Sequence, residues 1–144
     1  MMIYDAVEIT RKRCWKLKWV VEFDIKGLFD NIDHGLLMKA VEKHTTCRWH
    51  ILYIKRWLKA PMQKEDGTIL TRETGTPQGG VISPVLANLF LHYAFDRWMK
   101  ENHPILEWCR YADDGLVHVA SEREAKNLIL ELQKRFVRHQ NYTY

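Results

Sequence analysis

Cysteine is scarce and odd in number: Cys14, Cys47 and Cys109 are the three in 144 residues, far apart, with no C-x-x-C pair and no histidine at zinc-ligand spacing. That pattern argues against a disulfide scaffold and a structural zinc module, and implies free, reduced thiols in a cytoplasmic chain. Long hydrophobic runs are also missing. Charge interrupts each apolar stretch well before the ~18 residues of a membrane span, and the N-terminus lacks the apolar core of a signal peptide, so no membrane partner is expected. Charge of one sign is not in large excess, 22 Lys and Arg against 18 acids, so the net +4 permits a nucleic-acid partner without demanding one. No internal repeat, low-complexity segment or linker interrupts the chain, and no Ser-His-Asp or Cys-His arrangement stands out, so a single domain over residues 1–144 is expected.

What is present centres on Arg110–Gly115, RYADDG. Strand-like runs, Ile105–Tyr111 and Leu116–Ala120, flank it, and Asp114-Gly115 supplies residue types suited to a tight turn. A hairpin with Asp113 and Asp114 at its tip follows. Asp and Gly populate such turns for conformational reasons alone, so the pair gains chemical meaning only from the rest of the chain.

Upstream, Tyr4–Cys14 reads as a short helix, and Arg11, Lys12, Arg13, Lys16 and Lys18 crowd its end. A run like this is ordinarily a solvated helix terminus; phosphate contact by Arg11 and Arg13 is the sharper reading. Trp19–Asp24 has strand composition, with Trp19, Val21 and Phe23 on one face and Asp24 at its C-terminal end, a common place for chemistry in sheet-based sites. A loop, Ile25–Asp33, leads to a helix over His34–Lys43 that Asp33 caps. A further helix covers Arg48–Leu58, with Ile51, Leu52, Tyr53, Ile54 and Leu58 as its buried side. Met62–Thr74 reads as a hairpin about Asp66-Gly67. After the turn-rich stretch Gly75–Gly80, Ser83 at the N-cap and Pro84 at N1 open a helix to Lys100, with Leu86, Leu89, Phe90, Tyr93, Ala94 and Trp98 toward the core. Ser121 and Glu124 form a capping box, and Ala125, Leu128, Ile129, Leu132 and Phe136 mark an amphipathic helix to about Val137.

Three stretches, in order, then carry a resemblance: FDIKGLFDNIDH at Phe23–His34, GTPQGGVISPVLANLFL at Gly75–Leu91, and YADD at Tyr111–Asp114. Together they resemble the palm of a group II intron reverse transcriptase. The resemblance implies an α+β polymerase palm, a small antiparallel β-sheet backed by helices, with Met62–Thr74 as an extra β-hairpin. It implies that Asp24 meets Asp113 across the sheet, that both ligate metal with the Ile25 carbonyl as a further oxygen, and that Asp114 supports the turn or the metal indirectly. Carboxylates forced together repel, which raises their pKa values unless a divalent cation offsets the charge. Two Mg²⁺ ions about 4 Å apart are the expected cofactors, with Mn²⁺ as a substitute.

By the same resemblance Phe29 lies beneath the incoming sugar, where its ring excludes a 2′-hydroxyl, and Gln78 and Gly79 line the nucleotide pocket, the glycine allowing close backbone approach. Lys26 is a candidate phosphate contact, against the plainer reading of an exposed lysine. Asp30 and Asp33 suit turn and cap roles. The implied partners are an RNA template with a DNA primer, deoxynucleoside triphosphates and, in the full-length protein, intron RNA. Relative to the family, the start of the fingers, the thumb and the maturase domain are expected to be absent, and an exposed edge invites a homodimer. The alternatives are a noncatalytic RNA-binding or maturase fragment, and the palm of a retron or diversity-generating enzyme.

Overall fold

The computed structural model describes residues 3–25, 27–77 and 79–139. The chain divides into two units, Met1–Lys26 with Ala94–Arg138, and Gly27–Tyr93 with His139–Tyr144. Both contain helices and antiparallel strands, the mixed α+β content expected. Among the described residues no helix is long and apolar enough to cross a membrane.

The first unit is built on three strands, β1 (Trp19–Asp24), β4 (Glu107–Tyr111) and β5 (Asp114–Val119), in the order β1-β5-β4. Directly opposed residues share a face, so the register puts Val21, Val117 and Trp108 together, with Phe23, Gly115 and Arg110 one step along. This face is apolar because it receives Phe95 and Met99 and the stripe Ala125, Leu128 and Leu132 of α7 (Glu122–His139). Phe95 is fully buried, edge-on to Trp108 at 5.2 Å and tilted against Phe23 at 4.9 Å. The capping box holds: Ser121 Oγ accepts from the Glu124 amide at 3.2 Å, and the Glu124 carboxylate accepts from the Ala120 amide at 2.8 Å. Ile129, expected inside, is exposed beside this stripe, as is Trp19 at the sheet's end.

The other face carries Cys109, Leu116 and His118 and packs against α1 (Ile3–Cys14). Arg13 fixes that helix to the edge strand: its guanidinium donates to the Trp108 carbonyl at 2.7 Å and lies 3.5 Å from Glu107. The three cysteines are free thiols.

In the second unit, α3 (His34–Glu42) starts as expected, with Asp33 Oδ1 accepting from the Leu36 amide at 2.7 Å. The preceding segment, expected to be loop, contains one helical turn, α2 (Leu28–Asn31), entered through Gly27 in the left-handed region. In α4 (Arg48–Lys59), Leu58 is buried and Ile51, Leu52 and Ile54 half-buried, but Tyr53 is exposed on the opposite side. A short hairpin, β2 (Met62–Gln63) and β3 (Ile69–Leu70), turns at Asp66-Gly67, where Asp66 accepts from the Thr68 amide at 2.9 Å. That bond holds the Asp66 carboxyl below its usual range, so the contact's stabilisation is present above the ordinary carboxylate pKa and fades as pH falls through the lowered one.

The helix expected over Ser83–Lys100 departs from expectation twice. It begins one residue earlier, with Ile82 in the cap position, because the Ser83 hydroxyl is buried and donates back to the Pro77 carbonyl at 2.6 Å instead of capping. It also divides, into α5 (Ser83–Leu91), a π-helical turn at His92–Asp96, and α6 (Arg97–Asn102). The buried positions explain the widening: Ala87, Leu91, Phe95 and Met99 recur every fourth residue, which overshoots a 3.6-residue turn by roughly 40° each time. A wider turn takes up the drift, and Tyr93 and Trp98 remain half-buried.

The β4–β5 turn is also shifted from expectation. Tyr111 pairs with Asp114, so the two-residue turn is Ala112-Asp113, and Asp114-Gly115 already belongs to β5. Gly115 is needed in the strand, because the Phe23 ring opposite lies where a Cβ would stand. Ala112 therefore adopts a positive φ of 53°, unique among the described non-glycine residues and costing about 1 kcal/mol or more. Arg110 holds it there. Its guanidinium forks onto Asp96 at 2.7 and 2.8 Å and donates to the Ala112 carbonyl at 2.6 Å, with side chains only 9% and 15% exposed in the ion pair.

Two outcomes follow for equilibrium unfolding in urea. Gly115→Ala lowers stability by about 1–3 kcal/mol, the range for an overpacked core, and the loss shrinks when Phe23→Leu is added, the signature of directly coupled residues. Arg110→Met removes the forked guanidinium from the Asp96 carboxylate and releases the Ala112 carbonyl, and lowers stability by about 3 kcal/mol; a loss under ~0.5 kcal/mol, the scale of an ordinary surface change, would contradict this tie.

Candidate active site

The register at the tip of the sheet sets the chemistry. Asp24, the last residue of β1, pairs with Asp114, the first of β5, and Tyr111 of β4 pairs with Asp114 from the other side. The three side chains therefore form a row across the strands, on the face opposite the aromatic core. Asp24 and Asp114 are exposed, and Asp113 is half-buried in the turn beside them. The resemblance set Asp24 beside Asp113; the pairing gives the place directly across from Asp24 to Asp114 and sets Asp113 one residue away.

Cβ atoms of directly opposed residues stand about 4.5–5.5 Å apart, and like charges there destabilise the sheet. Nothing in packing calls for two acids at this pair of positions. A hard divalent cation would offset the repulsion, and the local donors fit one, since Asp24, Asp113 and Asp114 offer only carboxylate oxygens. Ile25 follows with its side chain buried, so only its backbone is left to serve as a ligand. Among the described residues, no three His, Cys, Asp or Glu side chains are grouped closely enough to hold an ion.

Asp114 and Tyr111 open onto a cleft of about 410 Å³ whose other wall is α1, through Ala6, Val7, Thr10 and Arg11. Arg11 is exposed, its guanidinium 5.3 Å from the centre of the Trp15 ring, and stands at this cleft, whereas Arg13 is engaged by Trp108 and Glu107. Lys26 and Gln78 lie outside the described residues.

The nucleotide-pocket candidates lie in the second unit, on two segments stapled together. The Phe29 carbonyl accepts from the Thr76 amide at 2.5 Å, the Ile32 carbonyl from the Gly75 amide at 2.8 Å, the Asp30 carbonyl from the Thr74 hydroxyl at 3.1 Å, and the Gly75 carbonyl from His34 Nε2 at 2.6 Å. Gly75, at φ +77°, is the glycine that close approach requires: a Cβ there would lie 2.6 Å from the Asp30 carbonyl carbon. Gly79 adopts a φ of +79° that favours glycine, and its open side has no protein atom within 4 Å. Phe29 is half-buried.

Two residues to which the sequence reading gave no role belong to this arrangement. Arg110 and Asp96 fix the turn that carries Asp113, and Arg110 stands inside the RYADDG stretch. The part-buried partner fourteen residues upstream, Asp96, is the element that no local pattern indicates.

Comparison with known proteins bears on this geometry directly. The family model described as reverse transcriptase (RNA-dependent DNA polymerase) matches residues 3–143. The chain is 31% identical to protein YkfC of Escherichia coli over 144 aligned positions, covering 79% of this chain and 38% of YkfC. It is 37% identical over 89 residues to the group II intron-encoded protein LtrA of Lactococcus lactis, covering 62% of this chain and 15% of LtrA. A solved structure of telomerase from Candida albicans with a fragment of telomeric RNA shares the fold at a TM-score of 0.60 and 17% identity, over 91% of this chain and 28% of that one. The chain thus spans well under half the length of these relatives. The family match extends over nearly the whole sequence, and within it the acids of β1 and β5 face each other at the end of an antiparallel sheet; the chain belongs to the reverse transcriptase family of RNA-dependent DNA polymerases.

Proposed function

We propose that this chain is the metal-binding core of an RNA-directed DNA polymerase of the group II intron-encoded type, adding deoxynucleotides to a primer 3′-hydroxyl on an RNA template. The observation that carries the reading is the opposition of Asp24 and Asp114, with Asp113 in the adjoining turn. The likeness to LtrA, a group II intron-encoded protein, favours the intron type over a retron or diversity-generating enzyme.

Asp24, Asp113 and the Ile25 carbonyl would hold Mg²⁺, or Mn²⁺ in its place, with Asp114 completing the acidic row. When bound, two such ions supply charge neutralisation at the triphosphate and a lowered pKa for the primer hydroxyl. The chain's own residues do the positioning. Phosphoryl transfer depends mainly on alignment and electrostatics, so no side-chain nucleophile is required. The Arg110 fork keeps the Ala112-Asp113 turn in one conformation, and the rigid β1–β5 register presents the carboxylates at fixed spacing. Phe29 excludes a 2′-hydroxyl from the sugar site, while Gln78 and Gly79 line the nucleotide pocket, the open side of Gly79 leaving room for a ligand. Arg11, beside the cleft at Asp114, and Lys26 contact phosphate.

Both units belong to one catalytic domain in this reading, and the three free thiols fit a reducing, cytoplasmic setting. The partners are the RNA template with its DNA primer, deoxynucleoside triphosphates and intron RNA, with a homodimer formed through an open sheet edge. Light scattering that shows only monomer at high concentration would remove the dimer from the account.

Primer extension on an RNA template tests the catalytic assignment. Asp24→Asn and Asp113→Ala should each reduce extension by about two orders of magnitude or more, the scale of a lost preorganised electrostatic group, and activity equal to that of the unsubstituted protein would overturn the assignment. Phe29→Val should leave deoxynucleotide addition in place and weaken discrimination against ribonucleotides by about tenfold or more, the order that a single steric element supplies; unchanged discrimination would remove Phe29 from the sugar site.

A further inference from the structure

Helix α4, RWHILYIKRWLK, has an outward side that the polymerase reading leaves unused. Its buried side is supplied by Leu58 with Ile51, Leu52 and Ile54. On the opposite side Trp49, Tyr53 and Trp57 recur every fourth residue at 67%, 47% and 47% exposure, with the Tyr53 and Trp57 ring centres 6.3 Å apart. Large aromatics left in water at regular helical spacing are poor for folding and good for stacking.

The charge on the same helix is of one sign. It holds four Lys and Arg and no Asp or Glu. Lys55 pairs with Glu42 at 3.7 Å, whereas the exposed Arg48, Arg56 and Lys59 have no acidic partner among the described residues. Arg56, three residues from Tyr53, lies on the aromatic side itself. An apolar groove of about 580 Å³ between Trp57 and Pro77, Val81 and Val85 continues the surface. The groove alone would suit any apolar occupant; Arg56 among the rings, with Arg48 and Lys59 exposed on the flank of the same helix, selects one that is both flat and anionic.

We propose that α4 is a docking surface for single-stranded RNA, its rings stacking on bases and Arg48, Arg56 and Lys59 meeting phosphates. Successive rings rise about 6 Å along a helix axis, close to two steps of a strand at ~3.4 Å per nucleotide. Each base has an apolar face whatever its identity, so the surface grips sequence-tolerantly. The groove beyond Trp57 receives a splayed base. This binding requires no metal and no polymerisation, so its test is separate from that of the catalytic site.

The test is fluorescence anisotropy with a labelled, unstructured 20-nucleotide oligouridine in metal-free buffer, over a range of salt. Trp49→Ala with Trp57→Ala should weaken binding by about tenfold or more. A second variant, Arg48→Gln with Arg56→Gln and Lys59→Gln, alters only exposed side chains and should lower the slope of log affinity against log salt by about 2, three contacts at ~0.7 each. Circular dichroism establishes that both variants are folded, and the charge variant decides alone if the ring variant is not. If the folded variants bind oligouridine as the unsubstituted protein does, the proposal is overturned. A shift from dimer to monomer in sedimentation, with RNA affinity unchanged, would likewise overturn it and assign the rings to a second copy of the chain.

Discussion

The acids at the end of β1 and β5 are the constraint on which the rest of the first unit depends. Asp24 and Asp114 are directly opposed, an arrangement that repels in the absence of a cation. A sheet left to its own energetics would slide or fray at that end, and several features oppose this. Val21 against Val117, with Trp108 on the far side, locks the register, since a one-residue slip would move every apolar side chain to the wrong face. Phe23 lies across Gly115 one residue from the carboxylates and into the cluster with Phe95 and Phe136. The repulsion is thus held in place by apolar packing immediately beneath it.

The turn is held by a different means. Ala112 sits at a positive φ that an alanine adopts at a cost, and the guanidinium of Arg110 binds its carbonyl while the Asp96 carboxylate fixes the guanidinium. Asp96 closes the π-helical turn, so the widening that re-phases the buried stripe also ends on the residue that anchors the hairpin. A buried ion pair is a weak source of net stability but a strong source of conformational specificity where one geometry must be kept. A turn that presents the carboxylates proposed to bind metal is such a place.

Much of this was legible in the sequence, for reasons that differ by element. β1 was readable to the residue because alternation and its terminal Asp are local signals, as were the Asp33 cap and the Ser121–Glu124 capping box. The family resemblance, resting on three separated stretches, agrees with the family match over residues 3–143. What escaped depends on tertiary partners. Asp114-Gly115 has ideal turn chemistry, yet the Phe23 ring claims Gly115 for the strand and moves the turn back to Ala112-Asp113. Ser83 has the composition of a cap, yet the Pro77 carbonyl captures its hydroxyl. Tyr53 has the hydrophobicity of a core residue, yet its helical phase with Trp49 and Trp57 turns it outward. For Gly115 and Ser83 a residue type gave the right local propensity and a contact outside the local pattern decided its use, whereas for Tyr53 helical phase decided against hydrophobicity.

The measurement that tests the central claim most directly is diffraction from crystals soaked in Mn²⁺, read at the manganese anomalous edge. The account predicts manganese bound by Asp24 and Asp113, with about 4 Å between ions if two are present. Manganese found elsewhere, or carboxylates of Asp24 and Asp113 more than about 10 Å apart in the soaked crystal, beyond any shared coordination shell, would contradict it.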